Sequence, residues 1–129
     1  MYTVVVGIDT DADRARALAE ELLAFPGDDV TAVLVHSFDE NPEGASIAQV
    51  GAVRRAQEIL EEAGIEVTLE EGSGDPASVI LEVADEHDAD LIAVAGRKRS
   101  PAGKAVFGSV TQDVILGTDR SVLVATASE

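Results

Sequence analysis

The amino-acid sequence predicts an α/β domain built on a five-stranded parallel sheet with helices on both faces. Three observations carry that expectation. Five short apolar runs, most of them nearly continuous in Val, Ile, Leu and Ala, suit strands that are covered on both sides. Between them lie segments whose apolar residues recur at helical spacing, so the chain reads β-α-β-α-β-α-β-α-β; strands alternating with helices of about ten or more residues indicate right-handed parallel crossovers. The length, 129 residues, is that of one domain spanning 1–129, enough to bury about two-thirds of the unfolded surface around a single core.

The first strand is expected from Tyr2 to Ile8, rich in β-branched residues. Asp9-Thr10-Asp11 then offers N-caps for a helix from Ala12 to Phe25, with Ala15, Leu18, Ala19, Leu22 and Leu23 on its apolar stripe and Pro26-Gly27 as its stop. A second strand is expected over Asp29 to Ser37. Turn-formers and acids from Phe38 to Ala45 mark a loop, and the longest helix follows from Ser46 to Ala63, with Gly64 as its C-cap and Gly51 as a weak point. The third strand, Ile65 to Glu70, alternates strictly between apolar and polar residues; one wet face places it at a sheet edge.

Gly72-Ser73-Gly74-Asp75-Pro76 reads as a loop in which Asp75 caps a helix that carries Pro76 at its first position and ends near His87. Leu91 to Ala95 is the fourth strand, Ser109 to Leu116 the last helix with Gly117 as its stop, and Ser121 to Thr126 the fifth strand.

The stretch from Asp90 to Thr111 organises the function. A buried strand halts at Gly96, enters a basic Gly/Pro/Ser loop and ends at Gly108-Ser109, where a helix begins. Free backbone N–H groups at a helix N-terminus beside a strand's carboxyl end form a cradle for an anion. Arg97, Lys98, Arg99 and Lys104 are four of the nine cations of the chain, and no Asp or Glu lies between Asp90 and Asp113. In a protein of net charge -16 this is where an anion meets least repulsion. Ligands of such sheets sit at the carboxyl ends of strands, at the topological switch point. Ile8-Asp9, His36-Ser37 and Gly96-Arg97 fall at such ends, and they converge with Gly108-Ser109 if the first and fourth strands are neighbours.

Charge and composition exclude several classes. With 25 acidic against 9 basic residues, free nucleic acid is not an expected partner. One reading of the excess is solubility in a salt-adapted, haloarchaeal-type cytoplasm, where the Debye length falls to about 3 Å at 1 M salt; the other is an acidic protein with no special salt requirement. The apolar runs are far shorter than a membrane span of about 20 residues, and the N-terminus enters a strand without a basic region or cleavage site, so a soluble cytoplasmic protein is expected. The absence of cysteine rules out disulfides, a thiolate nucleophile and a cysteine-based zinc site.

Candidates for catalysis are thin, and neither catalytic nor metal-binding residues are expected. His36 could act as a base near Ser37, but a histidine closing a buried strand reads better as a hydrogen-bonded structural residue. His87, with Asp85, Glu86 and Asp88, reads as solvated helix end rather than a metal site. Ser100 after the basic triplet is a weaker candidate, for phosphorylation.

Several segments together resemble the universal stress protein (UspA-like) family over essentially the whole chain: Val5-Val6-Gly7-Ile8-Asp9, Val33-Leu34-Val35-His36, Gly74-Asp75-Pro76-Ala77, Ala89-Asp90-Leu91-Ile92, Gly96, Gly108-Ser109-Val110-Thr111 and Ser121-Val122-Leu123-Val124. The resemblance implies an open, Rossmann-like sheet of the adenine-nucleotide-binding α/β type in spatial order 3-2-1-4-5, a homodimer and, in one branch, ATP bound between the loop after strand four and the last helix. Matched residue by residue, it implies a nucleotide site that includes Gly7 and Ile8, with Asp9 near ribose and adenine and Ser37 with its backbone at adenine. Ala95 precedes the phosphate-binding segments of that site, in which fall Gly96, Arg97 and Arg99, together with Gly108, Ser109, Val110 and Thr111. Backbone and hydroxyl groups of the last three would donate to phosphate, although Ser109 also reads as a simple N-cap.

The ATP-binding branch carries a glycine, two residues, a second glycine, nine residues, then glycine and serine or threonine. Here Arg99 stands in place of the second glycine, and the eight residues Ser100 to Phe107 separate it from Gly108. Glycine in a phosphate loop permits positive φ and close backbone approach, which arginine does not, but a guanidinium can itself bind phosphate. Bound Mg²⁺ would need only one or two carboxylates plus the phosphates.

Three functions follow: a homodimeric module that binds an adenine nucleotide (ATP or AMP), a scaffold of the same fold without nucleotide, and a weak nucleotide hydrolase, the last opposed by the missing catalytic cluster. The apolar final strand, 121–126, would lie at a sheet edge and pair with its symmetry mate.

Overall fold

The computed structural model describes residues 2–25, 29–38, 50–96 and 108–126. The basic loop with Arg97, Lys98, Arg99, Ser100 and Lys104, the expected loop after Phe38 and the Pro26-Gly27 stop lie outside them; the long helix expected from Ser46 begins instead at Gly51, because Val50 is extended as its N-cap. The described elements are β1 (Tyr2–Gly7), α1 (Ala12–Leu22), β2 (Val30–Phe38), α2 (Gly51–Glu62), β3 (Glu66–Ser73), α3 (Pro76–Glu86), β4 (Leu91–Gly96), α4 (Ser109–Gly117) and β5 (Ser121–Thr126).

All strand pairs are parallel, and the sheet runs β3-β2-β1-β4-β5. The central β1 is buried on both faces, and its alternation divides the core. Val4 and Val6 pack with Leu18, Leu22, Val53 and Leu60 from α1 and α2, whereas Val5 packs with Ile80, Val83 and Val114 from α3 and α4. Continuous apolar sequence in β1, β2 and β4 is thus the sum of two interleaved stripes, one for each helical layer.

Several boundaries differ from the sequence reading, each for a local reason. The α1 helix closes at Leu22, and the chain continues to Phe25 through i→i−3 bonds from Leu23, Ala24 and Phe25 to Glu20, Glu21 and Leu22, a tightened last turn. The third strand begins at Glu66 and reaches Ser73, beyond the expected Glu70, because its ladder follows β2 to the pair Phe38 and Ser73. Turn-forming residues there take extended conformation because the neighbouring strand supplies hydrogen bonds.

Gly64 follows α2 with φ +85°, the left-handed conformation that ends helices at glycine. Asp75 caps α3 as expected, accepting from Ser78 N at 3.1 Å and from its Oγ at 2.8 Å, with Pro76 at the first helical position.

The two edges of the sheet differ. The β3 edge carries Glu66, Glu70 and Glu71, whereas β5 presents half-buried Val122, Leu123 and Val124. Just before β5, Ile115 and Leu116 are exposed on α4, Leu116 at 85%. Arg120 pins the start of β5 to the end of α3: its Nε donates to the Ala89 carbonyl at 2.8 Å and its Nη1 to Asp85 at 2.7 Å. His87, which caps α3 at its C-terminus, is partly covered and lies 3.9 Å from Glu70.

Candidate functional site

Between β1 and β4 the connections leave the sheet on opposite faces, β1 into α1 and β4 toward α4. A crevice opens at this switch point above the strand ends. It forms a cleft of about 620 Å³ lined by the ends of β1, β2 and β4 and the first turns of α3 and α4. That volume lies within the usual range of small-molecule sites, about 300–1,000 Å³.

One end of the cleft is apolar. Val35 and Phe38 of β2 and Pro76 and Ile80 of α3 line it together, and Val35 shares one core cluster with Ile80 and with Val94 of β4. His36 is 6% exposed, and its Nδ1 lies 2.8 Å from the Ile8 carbonyl oxygen. A carbonyl can only accept, so Nδ1 carries a proton and the ring is held as a structural donor between β2 and β1. The Phe38 ring packs edge-to-face against it at 4.7 Å. Ser37 Oγ donates to the Gly74 carbonyl at 2.9 Å, and Gly74 N to the Phe38 carbonyl at 3.3 Å, which stitches the end of β2 to the turn before α3.

The middle of the floor is Gly7-Ile8-Asp9. A Cβ on Gly7 would lie 2.6 Å from Ile80 Cδ1, so glycine here lets α3 approach the sheet. The helix-capping role that Asp9 and Asp11 were both suited to falls to Asp11. Its Oδ1 accepts from Arg14 N at 3.0 Å, and this backbone hydrogen bond, with the Arg14 charge, holds its carboxyl below the usual carboxylate range. Asp9 instead faces the cleft, and its carboxylate accepts from Asp11 N and from Arg14 Nε, each at 2.8 Å.

At the far end stand Ala95 of β4 and Val110 and Thr111 of α4. The Thr111 hydroxyl, expected to donate to a ligand, donates to the Ala95 carbonyl at 2.9 Å and is buried. Gly108, not Ser109, is the N-cap of α4 and makes no side-chain cap bond; Ser109 is the exposed first residue of the helix. What the α4 terminus offers a ligand is therefore backbone N–H groups of its first turn, which lack carbonyls within the helix.

Of the residues singled out in the sequence, Gly7, Ile8, Asp9, Ser37 and Ala95 line the cleft together with Val110 and Thr111. Gly96, Gly108 and Ser109 flank it without being among its lining residues, and Arg97 and Arg99 lie outside the described residues. Phe38, Pro76, Ile80 and Val94 were not anticipated as walls. The Asp75-Pro76 helix start was a usable signal, since it brings the first turn of α3 to the same end of the sheet.

Among the described lining residues none is Lys or Arg; the Arg14 guanidinium reaches the cleft through Asp9. No cluster of His, Asp and Glu suited to a metal ion occurs among the described residues, and no helix among them is long and apolar enough to cross a membrane.

Residues 1–126 match the universal stress protein family. A universal stress protein of Mycolicibacterium smegmatis is 31% identical over 80 residues, covering 61% of this chain and 62% of that protein, so the match spans less than two-thirds of the relative's length. Among solved structures, a universal stress protein from Archaeoglobus fulgidus is 31% identical with a TM-score of 0.75, over 97% of this chain and 98% of that one. A universal stress protein in complex with cAMP is 25% identical, with a TM-score of 0.74 and 98% of each chain covered. A universal stress protein from Archaeoglobus fulgidus in complex with dAMP is likewise 25% identical, with a TM-score of 0.68 over 97% of this chain and 98% of that one.

Proposed function

The chain belongs to the universal stress protein family, and from that premise we propose that it is a single-domain stress-response module whose cleft binds an adenine nucleotide. The carrying observation is the order of chemistry along the cleft: apolar walls at β2 and α3, the Asp9 carboxylate in the middle, and the backbone N–H groups of α4 at the other end. A mononucleotide has the same order of base, sugar and phosphate. The complexes of two 25%-identical neighbours, with cAMP and dAMP, share adenine and a phosphate and support the reading.

In this reading Phe38, Pro76 and Ile80 enclose the base, and the Ser37 backbone borders it. Gly7 and Ile8 form the floor, and Asp9 meets the sugar. Ala95, Gly96, Gly108, Ser109, Val110 and Thr111 frame the phosphates, with Arg97 and Arg99 supplying charge. ATP with Mg²⁺ is accommodated on the same plan, the ion held by phosphate oxygens and one or two carboxylates. The role is binding, with at most slow ATP hydrolysis.

The protein works as a homodimer in a salt-rich cytoplasm. Pairing through β5 is supported by the apolar Val122–Val124 edge and by exposed Ile115 and Leu116 just before it. The salt is supported by the net charge of -16.

Calorimetric titration of ATP, with and without Mg²⁺, at molar KCl tests the proposal beside an Arg99→Glu variant. Saturable binding that the variant weakens is the expected result. No heat and no thermal shift at millimolar ATP overturns it and favours the scaffold reading, to which Arg99 at the usual glycine position already points.

A further inference from the structure

We propose that Arg14 is a positioning residue for the cleft: its guanidinium holds the Asp9 carboxylate where it accepts hydrogen bonds from the sugar hydroxyls of a bound nucleotide, and so sets a preference for hydroxylated sugars. The proposal rests on the nucleotide reading above and adds to it a residue and a selectivity.

Arg14 lies in the first turn of α1, three residues after the N-cap Asp11. Its Nε donates to Asp9 Oδ2 at 2.8 Å, while Asp9 Oδ1 accepts from Asp11 N at 2.8 Å. The two contacts fall on different oxygens, so together they fix the carboxylate's position and its plane. Arg14 Nη1 also lies 3.7 Å from Asp11 Oδ2, which braces the guanidinium against the helix start. Each carboxylate oxygen accepts two hydrogen bonds, so each keeps capacity for a ligand. The side chain of Asp9 is 50% exposed and that of Arg14 35%, so the carboxylate is presented rather than buried.

Position supplies the partner. Asp9 follows β1, which lies between β2 and β4 in the sheet, and so stands between the apolar end of the cleft and the start of α4. A nucleotide whose base lies against Phe38 and Ile80, and whose phosphate lies at α4, carries its sugar past Asp9. Without Arg14 the carboxylate keeps a single tether, and ordering it on the sugar costs conformational entropy at binding. Lysine is no substitute, because an ammonium is a point charge on a flexible stem and lacks the fixed Nε–H direction.

Titration of ATP and of 2′,3′-dideoxy-ATP into wild type, Arg14→Ala, Arg14→Lys and Asp9→Asn at molar KCl tests this. Circular dichroism verifies that each variant is folded; the Ala change keeps the backbone N–H that caps at Asp11. Wild type is expected to prefer ATP about tenfold, the worth of a hydrogen bond to a charged acceptor. Arg14→Ala loses most of that preference while its affinity for the dideoxy analogue stays within about twofold, Arg14→Lys does not restore it, and Asp9→Asn shows the same loss.

Equal weakening of both ligands by Arg14→Ala, an unchanged ratio, or full retention of the ratio by Arg14→Lys overturns the positioning role. So does a wild type that binds both ligands without preference, which leaves the nucleotide reading standing. A wild type that binds neither overturns both.

Discussion

The hydroxyl of Thr111, in the first turn of α4, donates to the carbonyl of Ala95 near the end of β4 across 2.9 Å. The bond spans the two ends of the segment that contains the basic loop, and it sets the helix start against the strand end whatever occupies the cleft. Thr111→Val keeps the shape and deletes the donor, leaving the carbonyl without this partner. A loss of about 1–2 kcal/mol in urea unfolding is expected, with Thr111→Ser close to wild type. Equal stability of the Val and Ser variants would show that the bond contributes nothing.

Gly7 and Ile80 share one space. A methyl on Gly7 would meet Ile80 Cδ1 at 2.6 Å, and Ile80 is both buried and a cleft wall. Gly7→Ala is therefore expected to cost about 1–3 kcal/mol and to narrow the cleft. Ile80→Val removes the opposing atom, so the double variant should be more stable than the sum of the single changes predicts. Strict additivity in chemical denaturation would refute the shared space.

Asp11 gives a pH dependence with a definite sign. Its folded-state carboxyl titrates below the ordinary aspartate value, chiefly through the backbone hydrogen bond from Arg14. The stability it contributes is present above the unfolded value and is lost as pH falls through the lower folded one. Asn caps a helix without titrating. The stability difference between wild type and Asp11→Asn should therefore be constant near neutrality and change only as pH falls below about 5, read from urea midpoints along a pH series. A difference that varies between pH 5 and 7 would contradict this origin.

Val124→Lys places a charge on the β5 edge. On the proposed pairing, light scattering is expected to report dimers for wild type and monomers for the variant, with circular dichroism confirming that the variant is folded. A folded variant that stays dimeric rules out pairing through β5.

Much of the fold is readable because its strongest determinants are local or periodic. The buried runs at Val4–Val6, Val33–Val35 and Leu91–Val94 name the central strands, and strict alternation at Ile65–Glu70 names an edge. Caps at Asp75 and Gly64 are single-residue signals with a single geometric meaning.

The site is less readable because its polar groups had several partners open to them. Thr111 could face a ligand or Ala95, and Asp9 could cap α1 or face the cleft; the outcome in each case depends on where a distant backbone group arrives. Phe38, Pro76 and Ile80 come to line one cleft only when α3 packs beside the end of β2, which joins segments far apart in sequence. Ser73 joined the β3 ladder because β2 extends to Phe38, which no property of Gly72-Ser73 itself announces.

The unlike edges of the sheet limit how far copies can assemble. Two five-stranded sheets joined through β5 form one continuous sheet whose outer strands are both β3. Those strands carry Glu66, Glu70 and Glu71, and a further copy approaching either of them meets a row of carboxylates like its own. The proposed association through β5 is therefore self-limiting: a pair so joined closes on its two-fold axis, and neither end templates a fibre.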